Sequence, residues 1–166
     1  FSEAFLILKS HAEGLPLALA PLVLVVMNLV YALGAFPSGA VSDRVPSAAI
    51  LIAGVGVLIG ADLVLALAPG LVGAFTGVAL WGAHMALTQG LLAKLIAEKA
   101  PASLRGSAFG VFNLITGIAL LLASLIAGVL WDQMGAPATF IAGAALAASA
   151  GLLVFFARSS FREREV

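Results

Sequence analysis

The chain has 166 residues, of which 63% are hydrophobic and only 10% are charged, and its mean hydropathy is +1.18. A soluble domain carries about 25% charged residues, so this composition predicts an integral membrane protein. The net charge of zero gives no indication of a nucleic-acid partner, and we expect none. The lack of cysteine excludes disulfides, thiolate metal sites and a cysteine nucleophile. The two histidines, His11 and His84, are too far apart in sequence for a His-rich metal motif.

A helix needs about 20 apolar residues to cross a hydrocarbon core of ~30 Å. Residues 1–8 are too short for this, and we interpret them as the end of a further helix in a chain that is a fragment. Five full transmembrane helices are predicted after it, at 16–38, 46–68, 70–95, 106–131 and 136–157. Prolines fall at the proposed starts or turns, where a missing N–H costs little. A polar loop is expected at 98–105.

The fold class is therefore all-α, a polytopic membrane helix bundle. The prediction is a single transmembrane domain over residues 1–166 that ends in a cytoplasmic polar tail at 158–166. Lys9 is the one basic residue expected on the outer face of this topology. The other seven share the inner face, a strong positive-inside signal: Arg44, Lys94, Lys99, Arg105, Arg158, Arg162 and Arg164. The turn at 39–44 is then cytoplasmic, and the protein is placed in the plasma membrane, of bacterial inner-membrane type.

Polar side chains near the middle of the membrane are informative because they are costly in lipid. His84 and Asn28 both fall about 18–21 Å from the outer ends of their helices. One interpretation is that the polar faces of three helices line one substrate cavity; the alternative is hydrogen bonding between helices at about 0.6 kcal/mol per bond. These faces comprise Asn28 and Tyr31; Trp81, His84, Met85 and Thr88; and Asn113 and Thr116.

Three titratable groups lie in or near the spans, and two of them have alternative interpretations. His84 titrates near neutral pH and either carries a coupling proton or is a neutral structural residue. Glu3, expected close to the outer end of its helix, either faces the cavity as a proton-binding carboxylate or is solvated at the interface. Asp62, about 24 Å along the second span, is expected to reach the outer headgroups.

No enzyme motif is present. The sequence lacks a GxSxG, an HExxH and a phosphate-binding GxxxxGK[ST] pattern. We therefore expect no catalytic residues, no metal site and no cofactor, and an ATP-driven pump subunit is disfavoured.

Three segments resemble the major facilitator superfamily of secondary transporters. Residues 39–44 (GAVSDR) resemble its cytoplasmic G-x-x-x-D-[RK] loop between helices eight and nine, with Gly39, Asp43 and Arg44 at the motif positions. Residues 98–110 resemble the loop and helix start between helices ten and eleven. Residues 128–135 (GVLWDQMG) resemble the outer turn between helices eleven and twelve.

The resemblance implies the C-terminal six-helix half of such a transporter, running from the end of helix seven through helix twelve. In that fold helices seven, eight, ten and eleven face the cavity, and the polar faces described above lie on the spans that correspond to eight, ten and eleven. It also implies that Asp43 and Arg44 form a cytoplasmic gate that stabilises the outward-facing state through the missing N-terminal half. The expected partners are a small-molecule substrate, protons, that N-terminal half and the lipid bilayer.

Several functions remain open. The first expectation is secondary active transport by alternating access, in the form of proton-coupled export (efflux by an antiporter) of a drug-like or amphipathic metabolite. It rests on an apolar cavity face that carries no intramembrane Arg or Lys. The alternatives are a proton-coupled nutrient uptake symporter and, in a different class, a membrane scaffold subunit that transports nothing.

Overall fold

The computed structural model describes residues 1–162, and it is built from α-helices. Short 3₁₀ turns, at Leu17–Leu19 and Ala102–Leu104, precede the second and fifth helices. The helices are α1 (Ala4–Ala12), α2 (Pro21–Ser42), α3 (Ser47–Leu67), α4 (Gly70–Lys99) and α5 (Arg105–Arg162). The predicted all-α membrane bundle is confirmed: by length and composition, four helical segments in the described part of the chain can cross a membrane.

The last of these segments turns back on itself. As one straight rod, the 58 residues of α5 would be about 87 Å long, far more than one crossing needs. Gly135 breaks the helix with φ 82° and ψ 177°, a conformation that favours glycine. The Thr139 hydroxyl then donates to the Ala127 carbonyl at 3.4 Å, although the two residues are 12 positions apart. The chain therefore forms a hairpin of two arms, α5a (105–134) and α5b (136–162), in agreement with the predicted fourth and fifth spans.

Some boundaries differ from the predicted ones. α2 continues through Ser42, whose hydroxyl donates to the Gly39 carbonyl at 2.7 Å, so the first four residues of the expected turn at 39–44 are helical. The helix ends before Pro46, because the residue preceding a proline disfavours the α conformation. α4 and α5 also run further than expected, to Lys99 and Arg162. The helix thus includes the first part of the predicted tail 158–166, and residues 163–166 lie outside the described residues.

The helices alternate in direction, so the bundle has two ends. We call the end with the turn between α2 and α3 the Asp43 end, and the end with the turn between α1 and α2 the Glu13 end. α4 packs extensively against α2 and α3, and α3 packs extensively against α5. The hydrophobic core lies towards the Glu13 end, where Leu6, Met27, Leu65, Val78 and Phe140 are completely buried.

One expectation from the sequence is wrong. Asp62 does not reach the outer interface, because its residue is only 1% exposed and lies inside the bundle. An ideal Cβ on Gly143 of α5b would lie 2.8 Å from the Asp62 Oδ2 atom, so the carboxylate faces a neighbouring helix. Length along a helix gives the depth of a residue but not the face on which it lies.

Candidate functional site

A cavity of about 360 Å³ lies between the start of α1, the middle of α4 and α5a. We call it the Trp81 cavity. It brings together four of the predicted substrate residues, and the complete lining is Phe1, Ser2, Glu3, Trp81, His84, Met85, Gln89 and Leu120. Part of the polar face of α4 therefore borders an open space.

The lining follows from helical periodicity. Trp81, His84, Met85 and Gln89 are spaced i, i+3, i+4 and i+8, so they form one stripe along α4. Gln89 is not among the predicted residues, although its spacing from Met85 was a signal that could have found it. Glu3 immediately precedes α1, and it lines the same cavity as His84 rather than lying near the Glu13 end.

Aromatic rings form one wall of the cavity. The Trp81 ring centroid lies 5.2 Å from that of Phe1 and 6.5 Å from that of His84. Ring pairs at these separations and tilts contribute beyond the apolar area that they bury. The indole is therefore held by neighbours on both sides and presents a defined surface to the cavity.

His84 is oriented by a bond to the neighbouring helix. Its Nδ1 lies 2.8 Å from the Gly54 carbonyl oxygen of α3. Because a carbonyl oxygen only accepts, Nδ1 carries the hydrogen in this bond. The imidazole thus joins α3 to α4, and Nε2 is the nitrogen left for a ligand or a proton.

Thr88 belongs to the same stripe of α4 as Trp81 and His84 but does not line the cavity. Its residue is 6% exposed, and its hydroxyl donates to the His84 carbonyl at 2.9 Å. Its methyl group faces Gly54, where an added Cβ would lie 2.5 Å from Cγ2. This contact is a close approach of α3 and α4 that places Thr88 in the helix interface.

Three predicted residues are exposed and lie outside the Trp81 cavity. The Asn28 side chain donates to the Leu24 carbonyl of its own helix at 2.8 Å. The Thr116 hydroxyl donates within α5a to the Phe112 carbonyl at 2.8 Å. Asn113 and Thr116 precede Leu120 by seven and four residues, so they continue the stripe of α5a on which Leu120 meets the cavity.

A second groove lies between α2 and α4 at the Asp43 end. Its volume is about 330 Å³, and its lining includes Tyr31, Gly39, Asp43 and Lys94. We call it the Asp43 groove. Tyr31, which the sequence assigns to the substrate cavity, is thus placed with two residues of the predicted gate motif. The third motif residue, Arg44, is exposed in the turn that follows α2.

Lys94 connects the two helices of this groove. Its ammonium group donates to the Asp43 carboxylate at 2.9 Å and to the Ser42 carbonyl at 3.0 Å. Ser42 ends α2, so the cation satisfies a terminal carbonyl and lies at the negative end of the helix dipole. The sequence indicates that Lys94 is near this membrane face but does not identify its partner on α2.

Within residues 1–162 no group of three or more His, Asp or Glu side chains is arranged to hold a metal ion.

Comparison with known proteins gives the family. The model of the Major Facilitator Superfamily matches residues 4–166. A protein of Methanocaldococcus jannaschii named an uncharacterized MFS-type transporter is 29% identical over 162 residues, which cover 94% of this chain and 40% of that protein. The chain thus spans less than half the length of this curated relative. No solved structure matches the chain significantly. By the family match over nearly its whole length, the chain belongs to the Major Facilitator Superfamily.

Proposed function

We propose that this chain forms the C-terminal half of a secondary transporter that moves a small solute across the membrane by alternating access. Members of the family rock two six-helix halves around a site near the middle of the membrane. The observation that carries the proposal is the Trp81 cavity, an open space at mid-depth with a carboxylate, an imidazole and an amide in its wall. A packed scaffold would be expected to fill this space. Membership of the family likewise points to transport rather than to catalysis.

The lining favours an amphipathic solute. Trp81 and Met85 offer an aromatic face and a polarizable thioether, both suited to apolar groups of varied shape. Glu3 and Gln89 offer hydrogen-bond acceptors at the rim. No lysine or arginine of the described residues lines the cavity, so this half of the site offers no cation to a phosphate or dicarboxylate. The proposed substrate is therefore a neutral or cationic amphipathic metabolite or drug-like compound.

The Asp43 groove is the proposed gate. Lys94 ties α2 to α4 at this end, while the Asp43 side chain remains 74% exposed. An exposed carboxylate beside a turn is available to a second helical half, and Gly39 and Arg44 lie in the same turn region. We propose that contacts of Asp43 and Arg44 with the N-terminal half close this end when the cavity opens to the other side.

The orientation is proposed from charge. Seven of the eight basic residues lie on one face of the predicted topology, the Asp43 end, and such an excess is typical of the cytoplasmic side. The proposed location is thus the bacterial inner membrane with the C-terminus in the cytoplasm. Export coupled to proton entry then takes solute from the Asp43 end to the Glu13 end.

Transport in inverted vesicles that contain the full-length gene product tests the proposal. The probe is rhodamine 6G, an amphipathic dye whose fluorescence is quenched when it accumulates. We expect accumulation when the vesicle interior is made acidic, together with loss of interior protons. Uptake only into right-side-out vesicles would instead indicate a nutrient-type symporter, and no movement in either orientation would contradict amphipathic transport.

A matched pair of variants ties the flux to the cavity. Met85 lines it, whereas Met134 is 67% exposed beside the hairpin turn. M85A is expected to weaken the apparent affinity for the dye several-fold, and M134A to leave it unchanged. Equal effects of the two substitutions would remove the Trp81 cavity from the transport path.

A further inference from the structure

Asp62 is buried without a complete set of partners. Its residue is 1% exposed, and within the described residues its Oδ1 atom has no hydrogen-bond partner. The carboxyl group lines a space of about 340 Å³ between α3, α4 and both arms of α5. We call this space the Asp62 chamber. It is separate from the Trp81 cavity and lies towards the Glu13 end.

The chamber offers nothing that neutralises a carboxylate. Its walls are mostly alanine, leucine and isoleucine side chains. Its one hydroxyl, that of Thr139, already lies within hydrogen-bond distance of the carbonyls of Ala127 and Gly135, at 3.4 and 3.3 Å. Among the residues that the structure describes, no lysine, arginine or histidine lines the chamber and no salt bridge reaches Asp62.

The titratable groups on the packed elements are few. On α4 there is His84, which is bonded to Gly54, and on α5 the exposed Asp132 lies beside the hairpin turn. Before α1 there are Glu3, which lines the Trp81 cavity, and the backbone nitrogen of Phe1, which interacts electrostatically with Asp62. That nitrogen is a charged amino group only where Phe1 begins the chain; where residues precede it, it is a neutral amide.

A charged carboxylate in such a place carries a large desolvation penalty that no partner offsets. A proton removes the charge and needs no space. Oδ1, the oxygen without a partner, is almost completely covered, so a proton can reach it more easily than an organic or hydrated cation can. We infer that Asp62 is a proton-binding site, located behind the substrate cavity, whose protonation changes during the transport cycle.

Trp81 supplies the connection between the two spaces. Its side chain lines both the Trp81 cavity and the Asp62 chamber, as does that of Phe1. A solute that displaces the indole therefore changes the wall of the chamber, and water that enters there stabilises the charged carboxylate. Solute binding and proton release are thereby linked through one side chain. This link rests on the proposed transport function, whereas proton binding at Asp62 does not.

Proton binding is tested first, without any solute. In the full-length gene product every tryptophan except Trp81 is replaced by phenylalanine, and Trp81 emission is recorded from about pH 5 to about pH 9. We expect a single titration that is abolished by D62N, kept with a shifted midpoint by D62E, and unchanged by D132N. A titration that persists in D62N and disappears in H84Q would assign the proton to His84 and overturn the inference, as would a parent protein without any titration.

Coupling is tested second, with rhodamine 6G in vesicles. In D62N, dye accumulation driven by a pH gradient is expected to be at least ten-fold lower than in the parent protein. Exchange of dye against dye without a gradient is expected to be retained. Retained gradient-driven accumulation in D62N would overturn the coupling role. If the parent protein moves no dye but Asp62 still titrates, the transport proposal fails and the proton site stands.

Discussion

Glu13 and Gly70 join two turns of the chain that are 57 residues apart. The Glu13 carboxylate accepts a hydrogen bond from the backbone N–H of Gly70, the first residue of α4, and another from the ammonium group of Lys9. The N–H groups in the first turn of a helix lack partners within the helix, and an acidic group there also meets the positive end of the helix dipole. Glu13 thereby fixes the start of the helix that carries most of the proposed substrate residues.

Replacing this carboxylate should weaken the Glu13 end. E13Q keeps an oxygen that can accept from Gly70 but removes the negative charge, so it is expected to lower the free energy of unfolding by about 0.3–1 kcal/mol, the usual magnitude for a charge at a helix terminus. The side chain is 22% exposed, so water partly screens the ion pair. The thermal midpoint in detergent at neutral pH measures the change. E98Q, at an exposed carboxylate near the other end of α4, is the control and should leave the midpoint unchanged.

The hydrogen bonds to Glu13 also predict that the stability of the protein depends on pH. The hydrogen bond from Lys9, followed by that from Gly70, holds the pKa of Glu13 below its ordinary value of 4.5. The stabilisation is therefore fully present above about pH 4.5 and is lost as the pH falls through the lowered pKa of the folded protein. The difference in thermal midpoint between the parent and E13Q should narrow as the solution is made more acidic. A constant difference down to the lowest pH would contradict this assignment.

Two variants at the Asp43 end should affect stability and transport differently. Lys94 bonds both to Asp43 and to the terminal carbonyl of α2, so K94Q is expected to lower the thermal midpoint. In D43N, Lys94 keeps its bond to the Ser42 carbonyl and loses only one exposed ion pair. The loss of stability is therefore expected to stay within about 0.5 kcal/mol. The transport rate of D43N should nevertheless fall several-fold, because the proposed gate then lacks its carboxylate.

Lys99 provides the control for this pair. It lies on the same helix end and is exposed, so K99Q is expected to match the parent in both thermal midpoint and flux. A D43N variant with normal flux in the full-length protein would show that Asp43 is not part of a gate.

Much of the fold could be predicted from hydropathy and from the positions of proline and glycine, which interrupt helices. Apolar runs of about 20 residues bounded by prolines correspond to α2, α3 and α4, and Gly135 corresponds to the hairpin turn. The stripe of α4 also followed from its period, because Trp81, His84 and Met85 repeat at helical spacing. These features depend on residues close together in the chain, which is why local patterns identify them.

Local patterns could not predict which neighbouring helix packs against each face of a helix. Asp62 and Asn28 are both polar residues within apolar helices, yet one is buried against α5b and the other is exposed. Which of them faces a neighbour depends on how each helix is rotated about its axis, and that rotation is set by packing between helices far apart in sequence. The contact between Lys94 and Asp43 and the contact between His84 and Gly54 belong to the same class.

The indole of Trp81 should influence substrate preference. W81F removes part of the aromatic wall that faces the cavity, and loss of an aromatic contact with an amphipathic cation amounts to about 1 kcal/mol, or about five-fold in affinity. Competition of several unlabelled dyes against rhodamine 6G measures the change. W131F is the matched control, since Trp131 packs against Phe5 and Phe140 in the core and does not line the cavity.

The close approach of α3 and α4 predicts that a substitution at Gly54 lowers stability and that a second substitution at Thr88 restores it. In G54A the new methyl group would lie 2.5 Å from the Thr88 Cγ2 atom, so the helices must separate or the threonine must move. Overpacking of this kind costs about 1–3 kcal/mol, and we expect a lower thermal midpoint together with a weakened bond between His84 and the residue 54 carbonyl. G56A, whose Cβ would meet nothing within 4 Å, is expected to be neutral or stabilising.

T88S removes the clashing methyl group but keeps the hydroxyl that donates to the His84 carbonyl. The double variant G54A/T88S should therefore recover most of the stability that G54A loses, and a double-mutant cycle should give a coupling energy of about 1 kcal/mol or more. Because His84 is oriented by Gly54, the same rescue should restore dye affinity at the Trp81 cavity. Additive effects of the two substitutions on stability would mean that Thr88 and Gly54 are not in contact. Recovery of stability without recovery of affinity would show that the imidazole is positioned independently of this interface.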